Sequence, residues 1–283
     1  MDSGILRQPA VAGTFYGDDP VALRCEIEAY LTQAKAPLRE DTAPIALVVP
    51  HAGYYFSGGV AATAYQLVVE LEFDLVVVVA PTHHHAFAGI SIYNAGNYLT
   101  PLGEVKVERE LAADLIGRYQ EINFVPEAHQ FEHSLEVQLP FLQVALGDFT
   151  LLPLIMGRQG WSEALRLAEI LAQLAVGRRL LLIASSDLSH FHNAVKAQQL
   201  DQQIVKAVAA FDPAAFWSLI ENHRAEACGA GPLLSVMQAA QKIGADHAQI
   251  LSYRHSGEIC GDNSRVVGYL SAAFYGTKFL EGI

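Results

Sequence analysis

Basic side chains are in short supply in this sequence, with 18 Lys and Arg against 30 Asp and Glu in 283 residues and a formal net charge of −12. A phosphate-binding surface needs a clustered excess of positive charge, so nucleic acid is excluded as an expected partner, and solubility accounts for the acidity. Cysteine is scarcer still. The three cysteines, Cys25, Cys228 and Cys260, are odd in number and widely spaced, which excludes a disulfide framework and makes a reducing cytoplasm the expected compartment. No apolar run is long enough to cross a bilayer, so no membrane partner is expected. The opening from Met1 to Pro9 has no basic start followed by an apolar block, so no export signal is expected there. Internal repeats, low-complexity tracts and long linkers are also missing, which favours one domain over residues 1–283. Three catalytic signatures are absent too: the Gly-x-Ser-x-Gly elbow, the Gly-x-x-x-x-Gly-Lys phosphate loop and the His-Glu-x-x-His zinc motif.

What the chain does have is apolar sequence in short bursts. Hydrophobic residues make up 52% and charged residues 17%, enough for a large buried core and too apolar for disorder. Near-continuous apolar runs predict strands at Ile45 to Val49, Leu75 to Ala80, Leu151 to Met156, Leu180 to Ala184, Ile250 to Tyr253 and Val266 to Phe274. Between them, helices are predicted at Val21 to Ala34, Ser57 to Val69 with Ser57 as a cap, and Glu108 to Tyr119. Further helices follow at Ser134 to Leu146, Ser162 to Ala175, Val195 to Ala210, Pro213 to Asn222 and Pro232 to Ile243. Pro140 predicts a kink or a late start in the first of that second group. This alternation is that of an α/β fold with a mostly parallel sheet covered on both faces.

Three of the strand-like runs stop at histidines. The first ends in Pro50-His51-Ala52-Gly53-Tyr54, the second in Pro81-Thr82-His83-His84-His85, the third in Ser185-Ser186-Asp187-Leu188-Ser189-His190-Phe191-His192. If these are neighbours in one parallel sheet, their carboxyl ends line up along the edge where open α/β sheets bind ligands. Eight of the eleven histidines fall in four short segments: these three and the pair His129 and His133. Neutral imidazole is the commonest protein ligand for Zn, Fe and Cu, so the clustering points to a metal site. His51, followed by the small residues Ala52 and Gly53, is the first ligand candidate. Adjacent side chains diverge in the His83 to His85 run, which favours His83 as a ligand and places His84 behind it. His133, in Glu132-His133-Ser134-Leu135-Glu136, is either a cleft residue at a helix start or simply solvated. Glu136 is spaced to hold its second nitrogen. Tyr54, in the same motif as His51, joins His133 and His84 as an expected pocket residue.

Asp187 and His190 are expected in the loop after a buried strand, where a carboxylate needs a partner. Asp187 orienting His190 as a base is one reading, and Asp187 capping the next helix is another. Cys228, in Ala227-Cys228-Gly229-Ala230-Gly231-Pro232, sits in a Gly-rich turn before a helix. It is either a thiolate activated by the helix start or a small buried hydrophobe. Cys25 reads as core, and Cys260 stays open.

Together these motifs resemble the Memo family. Pro50 to Tyr54, Pro81-Thr82-His83-His84, Glu132 to Glu136 with Leu139-Pro140-Phe141, Ser185 to His190 and Cys228-Gly229 occur in the family's order. Ala10-Val11-Ala12-Gly13-Thr14-Phe15-Tyr16 and Val267-Gly268-Tyr269 resemble its two ends. The bacterial and archaeal members are called AmmeMemoRadiSam system protein B, which implies AMMECR-type and radical SAM partner proteins. The family is similar in fold to class III extradiol dioxygenases, which implies a single-domain α/β/α sandwich and a mononuclear non-haem metal. By that resemblance His51, His83 and Cys228 are the metal ligands, His190 is the acid/base histidine and Asp187 its neighbour. Fe(II) is the first expectation for the metal, with copper second and zinc compatible. The dioxygenases use two histidines and a carboxylate. Cys228 in place of that carboxylate argues against catechol cleavage, because the site differs where the chemistry is done. The expected function is a metal-dependent oxidoreductase acting on an unidentified small molecule. The alternatives are a binding or scaffold protein with a vestigial site, which docks a peptide or partner protein, and a metal-independent cysteine hydrolase.

Overall fold

The computed structural model describes residues 5–35 and 43–276. Met1 to Gly4, part of the stretch read for an export signal, lie outside the described residues. The strands in chain order are β1 (Ile5–Arg7), β2 (Ala46–Val49), β3 (Leu75–Pro81), β4 (Ile90–Ile92), β5 (Gly96–Thr100), β6 (Gly103–Val107), β7 (Ile122–Asn123), β8 (Thr150–Met156), β9 (Leu180–Ser185), β10 (Asp187–His192), β11 (His247–His255) and β12 (Val266–Tyr275). They form one sheet in the order β1-β5-β6-β8-β3-β9-β2-β12-β10, with β11 on β12 and β4 bridging β7 and β8. At its centre β8, β3, β9 and β2 are parallel, as predicted.

Both faces of those central strands are buried, which explains why their sequence is almost continuously apolar. Leu75, Val77 and Val79 point into one core with Leu182 and Ala184, under helices Trp161–Leu174, Ala194–Ala209 and Ala230–Ile243. Val76, Val78 and Ala80 point into the other with Leu181 and Ile183, under helices Pro20–Gln33, Tyr54–Tyr65 and Gln138–Leu146. The result is an α/β/α sandwich around a mostly parallel sheet. No helix among the described residues is long and apolar enough to cross a membrane.

Four local expectations need correction. Cys25, read as core, is exposed on helix Pro20–Gln33, whose buried face is Leu23, Ile27 and Leu31. The second long helix begins at Tyr54, with Gly53 in the capping position, so Ser57 lies inside it and its hydroxyl donates back to the Ala52 carbonyl at 2.8 Å. The predicted Ser134 to Leu146 helix is two pieces, His133–Glu136 and Gln138–Leu146. Pro140 has no amide to give the Glu136 carbonyl, so the break falls one turn before it. Finally, Asp187 to His192 is a strand and not a loop. It lies antiparallel to the Val266 to Tyr269 end of β12, where β2 has already stopped.

Candidate metal centre

The parallel register brings the ends of β2, β3 and β9 level. Val49 pairs with Ser185, and Val79 with Ala184. His51 therefore emerges beside Asp187, and its backbone amide donates to Asp187 Oδ1 at 2.8 Å. The His51 ring is buried, and its orientation is fixed by Ser185 at the end of β9. Ser185 Oγ donates its single proton to the Ser134 carbonyl at 2.6 Å and accepts from Gln138 Nε2 at 2.9 Å. Gln138 is itself oriented, because Nε2 donates to the Pro50 carbonyl and Oε1 accepts the Tyr65 hydroxyl. The one role left for His51 Nδ1, 2.9 Å from Ser185 Oγ, is donor. Its Nε2 then carries the lone pair, 3.1 Å from Cys228 Sγ.

His83 is oriented by a carboxylate. Its Nδ1 is 2.8 Å from Glu132 Oε1, and its amide donates to Glu132 Oε2, which leaves Nε2 free. Glu132 also accepts the Ser134 amide at 3.0 Å, capping the short helix Glu132 precedes. Burial opposes ionisation of Glu132. The hydrogen bonds from His83 and Ser134 outweigh it and hold the carboxyl down at about 2. Glu132 was not among the residues the sequence singled out, although it heads the Glu132 to Glu136 motif. Only the fold shows that it faces β3.

Cys228 arrives from the turn before helix Ala230–Ile243. A Cβ at Gly229 would sit 2.3 Å from the Ser185 carbonyl, so only glycine lets this turn press against the end of β9. The Asp187 amide donates to Sγ at 3.2 Å, and Gln159 Nε2 holds the Cys228 carbonyl at 2.8 Å. Burial pushes the thiol up, and Asp187 adds to that. The thiolate expected of a helix start is therefore not supplied by the protein alone.

His51, His83 and Cys228 each offer a ligand atom within 4.8 Å of the others. Two oriented imidazoles and a sulfur converging on one point form a donor set that fits a soft or borderline transition metal. His83, Glu132 and His133 form a second such group. There the Glu132 oxygens already accept three hydrogen bonds that an ion would have to displace, so the first group fits better.

The pocket residues divide. His133 stacks on His83 with ring centroids 4.6 Å apart, and His84 meets the His133 edge at 5.8 Å, so both adjoin the cluster. Phe15 covers the other side of His133 at 4.8 Å. Tyr54 does not join them. Its hydroxyl donates to the Val137 carbonyl at 2.7 Å, and its ring packs on Phe141 in the core. The partner expected for His133, Glu136, instead binds Arg7, the Tyr16 hydroxyl and the amides of Ala10 and Val11. Asp187 does not orient His190 either. It braces the turn after β2, and burial pushes its carboxyl up to about 7 against amide hydrogen bonds from His51 and Ala52. The acceptor for His190 Nδ1 is the Leu188 carbonyl at 2.8 Å, so Nδ1 carries the proton and Nε2 is free. Burial holds His190 below its ordinary range. Its ring meets that of Phe191 edge-on, with centroids 5.7 Å apart.

The pattern that describes Memo-like proteins matches residues 7–273. The chain belongs to the Memo family. A MEMO1 family protein of Methanosarcina mazei is 36% identical over 269 residues, covering 93% of this chain and 97% of that protein. One from Sulfolobus acidocaldarius is 37% identical over 286 residues, covering 95% and 99%. In fold, the chain is similar to the crystal structure of an uncharacterised Escherichia coli K12 protein, with a TM-score of 0.51, 17% identity, and coverage of 81% of this chain and 99% of that one. Memo membership and the α/β fold thus agree with the motifs read from the sequence.

The buried histidines set the acid response of the metal-free Memo chain. Burial holds His51 well below 6.5, His129 down to about 3 and His133 down to about 4. In the unfolded chain each returns to about 6.5, so below that pH the unfolded state binds more protons. Stability from these groups is present above the unfolded value and lost as pH falls toward the folded ones. Asp187, pushed up to about 7, works the other way, favouring the fold at low pH and losing that contribution as pH rises. His190, also lowered by burial, joins the other histidines, and together they outweigh Asp187 and Asp201, whose carboxyl burial also raises. Urea midpoints should fall between about pH 6.5 and 4; midpoints that rise over that window contradict it.

Proposed function

We propose that this chain holds a single metal ion with His51, His83 and Cys228 and acts as a mononuclear non-haem oxidoreductase on a small molecule. The supporting observation is the convergence of three donors, in two of which the free atom is dictated by a neighbour: Ser185 for His51 and Glu132 for His83. Fe(II) is the first choice and copper the second, with zinc compatible, since thiolate is a soft donor. Such an ion supplies Lewis acidity and, if redox-active, electron transfer. The protein's own part is to orient and to move protons. His190, with Nδ1 tied to Leu188, offers Nε2 as the proton acceptor, while His133, His84 and Phe15 pack in turn beside His83. An AMMECR-type protein and a radical SAM enzyme, in a reducing cytoplasm, complete the proposal as partners.

A thiol–imidazole hydrolase is the second reading, because Cys228 Sγ lies 3.1 Å from His51 Nε2. It lacks an oxyanion hole at the nucleophile. The Cys228 amide donates to the Asp187 carbonyl at 3.2 Å, and the Gly229 amide to Ser186 Oγ at 2.9 Å. Metal analysis of anaerobically purified protein, with anomalous scattering at the iron and copper edges, tests the main reading. Retained iron or copper at the three ligands supports it, and metal-free protein with an alkylation-sensitive Cys228 favours the hydrolase. A turnover assay with the partner proteins separates oxidoreductase from scaffold, since activity lost in His83→Ala excludes the scaffold. Glu132→Gln should weaken metal affinity about 10- to 100-fold, the usual cost of losing the partner that orients a ligating histidine. Competition with a chromogenic chelator reads this, and unchanged affinity would remove Glu132 from the site.

A further inference from the structure

Asp201 stands outside the metal cluster, yet its side chain is fully buried on helix Ala194–Ala209. A carboxylate in that position is costly unless its oxygens are satisfied. Its partners belong to the strands around His190. One oxygen, Oδ1, accepts the Ser189 amide at 3.0 Å, and Oδ2 accepts the Tyr253 hydroxyl of β11 at 2.8 Å. A Cβ added at Gly268 of β12 would lie 2.0 Å from Oδ2, so the carboxylate fills the space that a larger residue there would claim. The Val267-Gly268-Tyr269 motif thus has a physical use: it admits Asp201.

The strand that carries His190 is irregular on both sides of it. Asp187 pairs with Tyr269 and His190 with Val267, then His192 with Val266, so β10 has one residue more than β12 in each interval. The extra residues make bulges, which leave ladder groups without a strand partner and re-aim side chains. Ser189, just before His190, gives its amide to Asp201 at 3.0 Å. Phe191, just after it, has φ +63°, a strained value for an aromatic residue.

We propose that Asp201 is a positioning residue for His190. It supplies the Ser189 amide with an acceptor, ties the bulge to β11 and β12, and so fixes the direction in which the His190 ring leaves the strand. This rests on the reading of His190 as the proton carrier. The role requires an acceptor at Oδ1 and empty space at Gly268, and it does not require a negative charge. Asparagine at 201 fulfils both conditions, since Oδ1 can accept the Ser189 amide while Nδ2 donates to the Tyr253 oxygen.

The test uses the full chain with all site histidines intact, in the variants Asp201→Ala, Asp201→Asn, Gly268→Ala and the Asp201→Ala, Gly268→Ala double. Long-range nitrogen–proton NMR of the histidine rings reads the His190 tautomer and shifts in metal-free protein. Cobalt(II) is then added as a paramagnetic probe of its distance from the metal ligands. Asp201→Ala and Gly268→Ala should each move the His190 signals and remove most of its paramagnetic shift. Asp201→Asn should restore both, and the double variant should be no worse than Asp201→Ala, because alanine at 201 vacates the space that the methyl group introduced by Gly268→Ala needs. If Asp201→Ala fails to fold, Asp201→Asn and Gly268→Ala still decide the matter. Unchanged His190 signals in Gly268→Ala, or a lowered urea midpoint in Asp201→Ala with an unmoved His190, overturn the proposal and leave Asp201 a purely structural residue. Failure of cobalt(II) to bind would overturn the metal reading alone, because the metal-free spectra report His190 independently.

Discussion

His51→Ala is expected to lower metal affinity by more than about 100-fold, beyond the loss typical of an outer partner, because it removes a ligand and not merely its support. The His51 ring is 2% exposed and lies at the centre of the cluster, edge-on to His83 and His133 with centroids at 5.1 and 5.6 Å. Alanine keeps the backbone amide that donates to Asp187, so the turn after β2 should survive. The protein loses one hydrogen bond at Ser185 and gains a cavity, which together cost about 1–3 kcal/mol. Elemental analysis after dialysis reads the metal, and urea unfolding reads the fold. Cys228→Ser provides the complement, since it conserves shape while replacing a soft donor by a hard one. Loss of copper or iron in both variants, with folded protein in both, assigns the effect to the donor atoms. Wild-type stoichiometry in His51→Ala would remove this residue from the ligand set.

Arg7→Ala should be among the most destabilising single changes in the molecule, at about 3–5 kcal/mol, the cost of breaking a buried ion pair by deleting one partner. The Arg7 side chain is 4% exposed and that of Glu136 is 0% exposed. Besides Glu136, the guanidinium serves the His129 carbonyl twice, at 3.0 and 2.9 Å, and the Glu132 carbonyl at 2.8 Å. Its removal leaves a buried carboxylate with the Tyr16 hydroxyl and two amides, and takes the guanidinium donor from the carbonyls of His129, Glu132 and Gln8. The segment from Arg7 to Tyr16 is thereby strapped to the helix that follows Glu132, and Phe15 within it covers His133. A lesion at Arg7 should therefore also loosen the metal site. Urea midpoints and metal affinity should fall together. The double variant Arg7→Met, Glu136→Leu should cost less than the two single changes summed, because it leaves no unpaired charge. A loss below about 1 kcal/mol in Arg7→Ala would show that the pair is solvated in solution.

The central strands were legible because burial on both faces demands uninterrupted apolar sequence, and Leu75 to Ala80 has nothing else. The ends of those strands were legible for the converse reason, since His51 and His83 interrupt the pattern where the sheet runs out. Ser57 misled because a hydroxyl residue beside an Ala-rich stretch is a sound cap in isolation. The helix actually starts where the Tyr54 amide meets the Phe15 carbonyl, at 2.7 Å, a contact the local sequence does not show. Asp187 to His192 misled because its polar residues do not alternate like a half-buried strand. It pairs only because β2 ends early and frees the side of β12 that it occupies.

Composition, strand pattern and motif order were enough to establish the α/β class, Memo membership and the sheet edge that carries the candidate site. These are local or one-dimensional properties, since apolar periodicity reports burial directly and ordered motifs survive divergence. The partnerships were decided by the tertiary structure alone. Glu132 serves His83, 49 residues away, and Ser185 serves His51, 134 residues away. Glu136 serves Arg7 instead of its helical neighbour. A carboxylate or hydroxyl takes the donor that the fold brings within about 3 Å, and chain separation says little about which donor that will be. The sequence pointed to two histidines at one sheet edge, and the family resemblance added the cysteine, but only the packed sheet shows which nitrogen of each ring is left free for an ion.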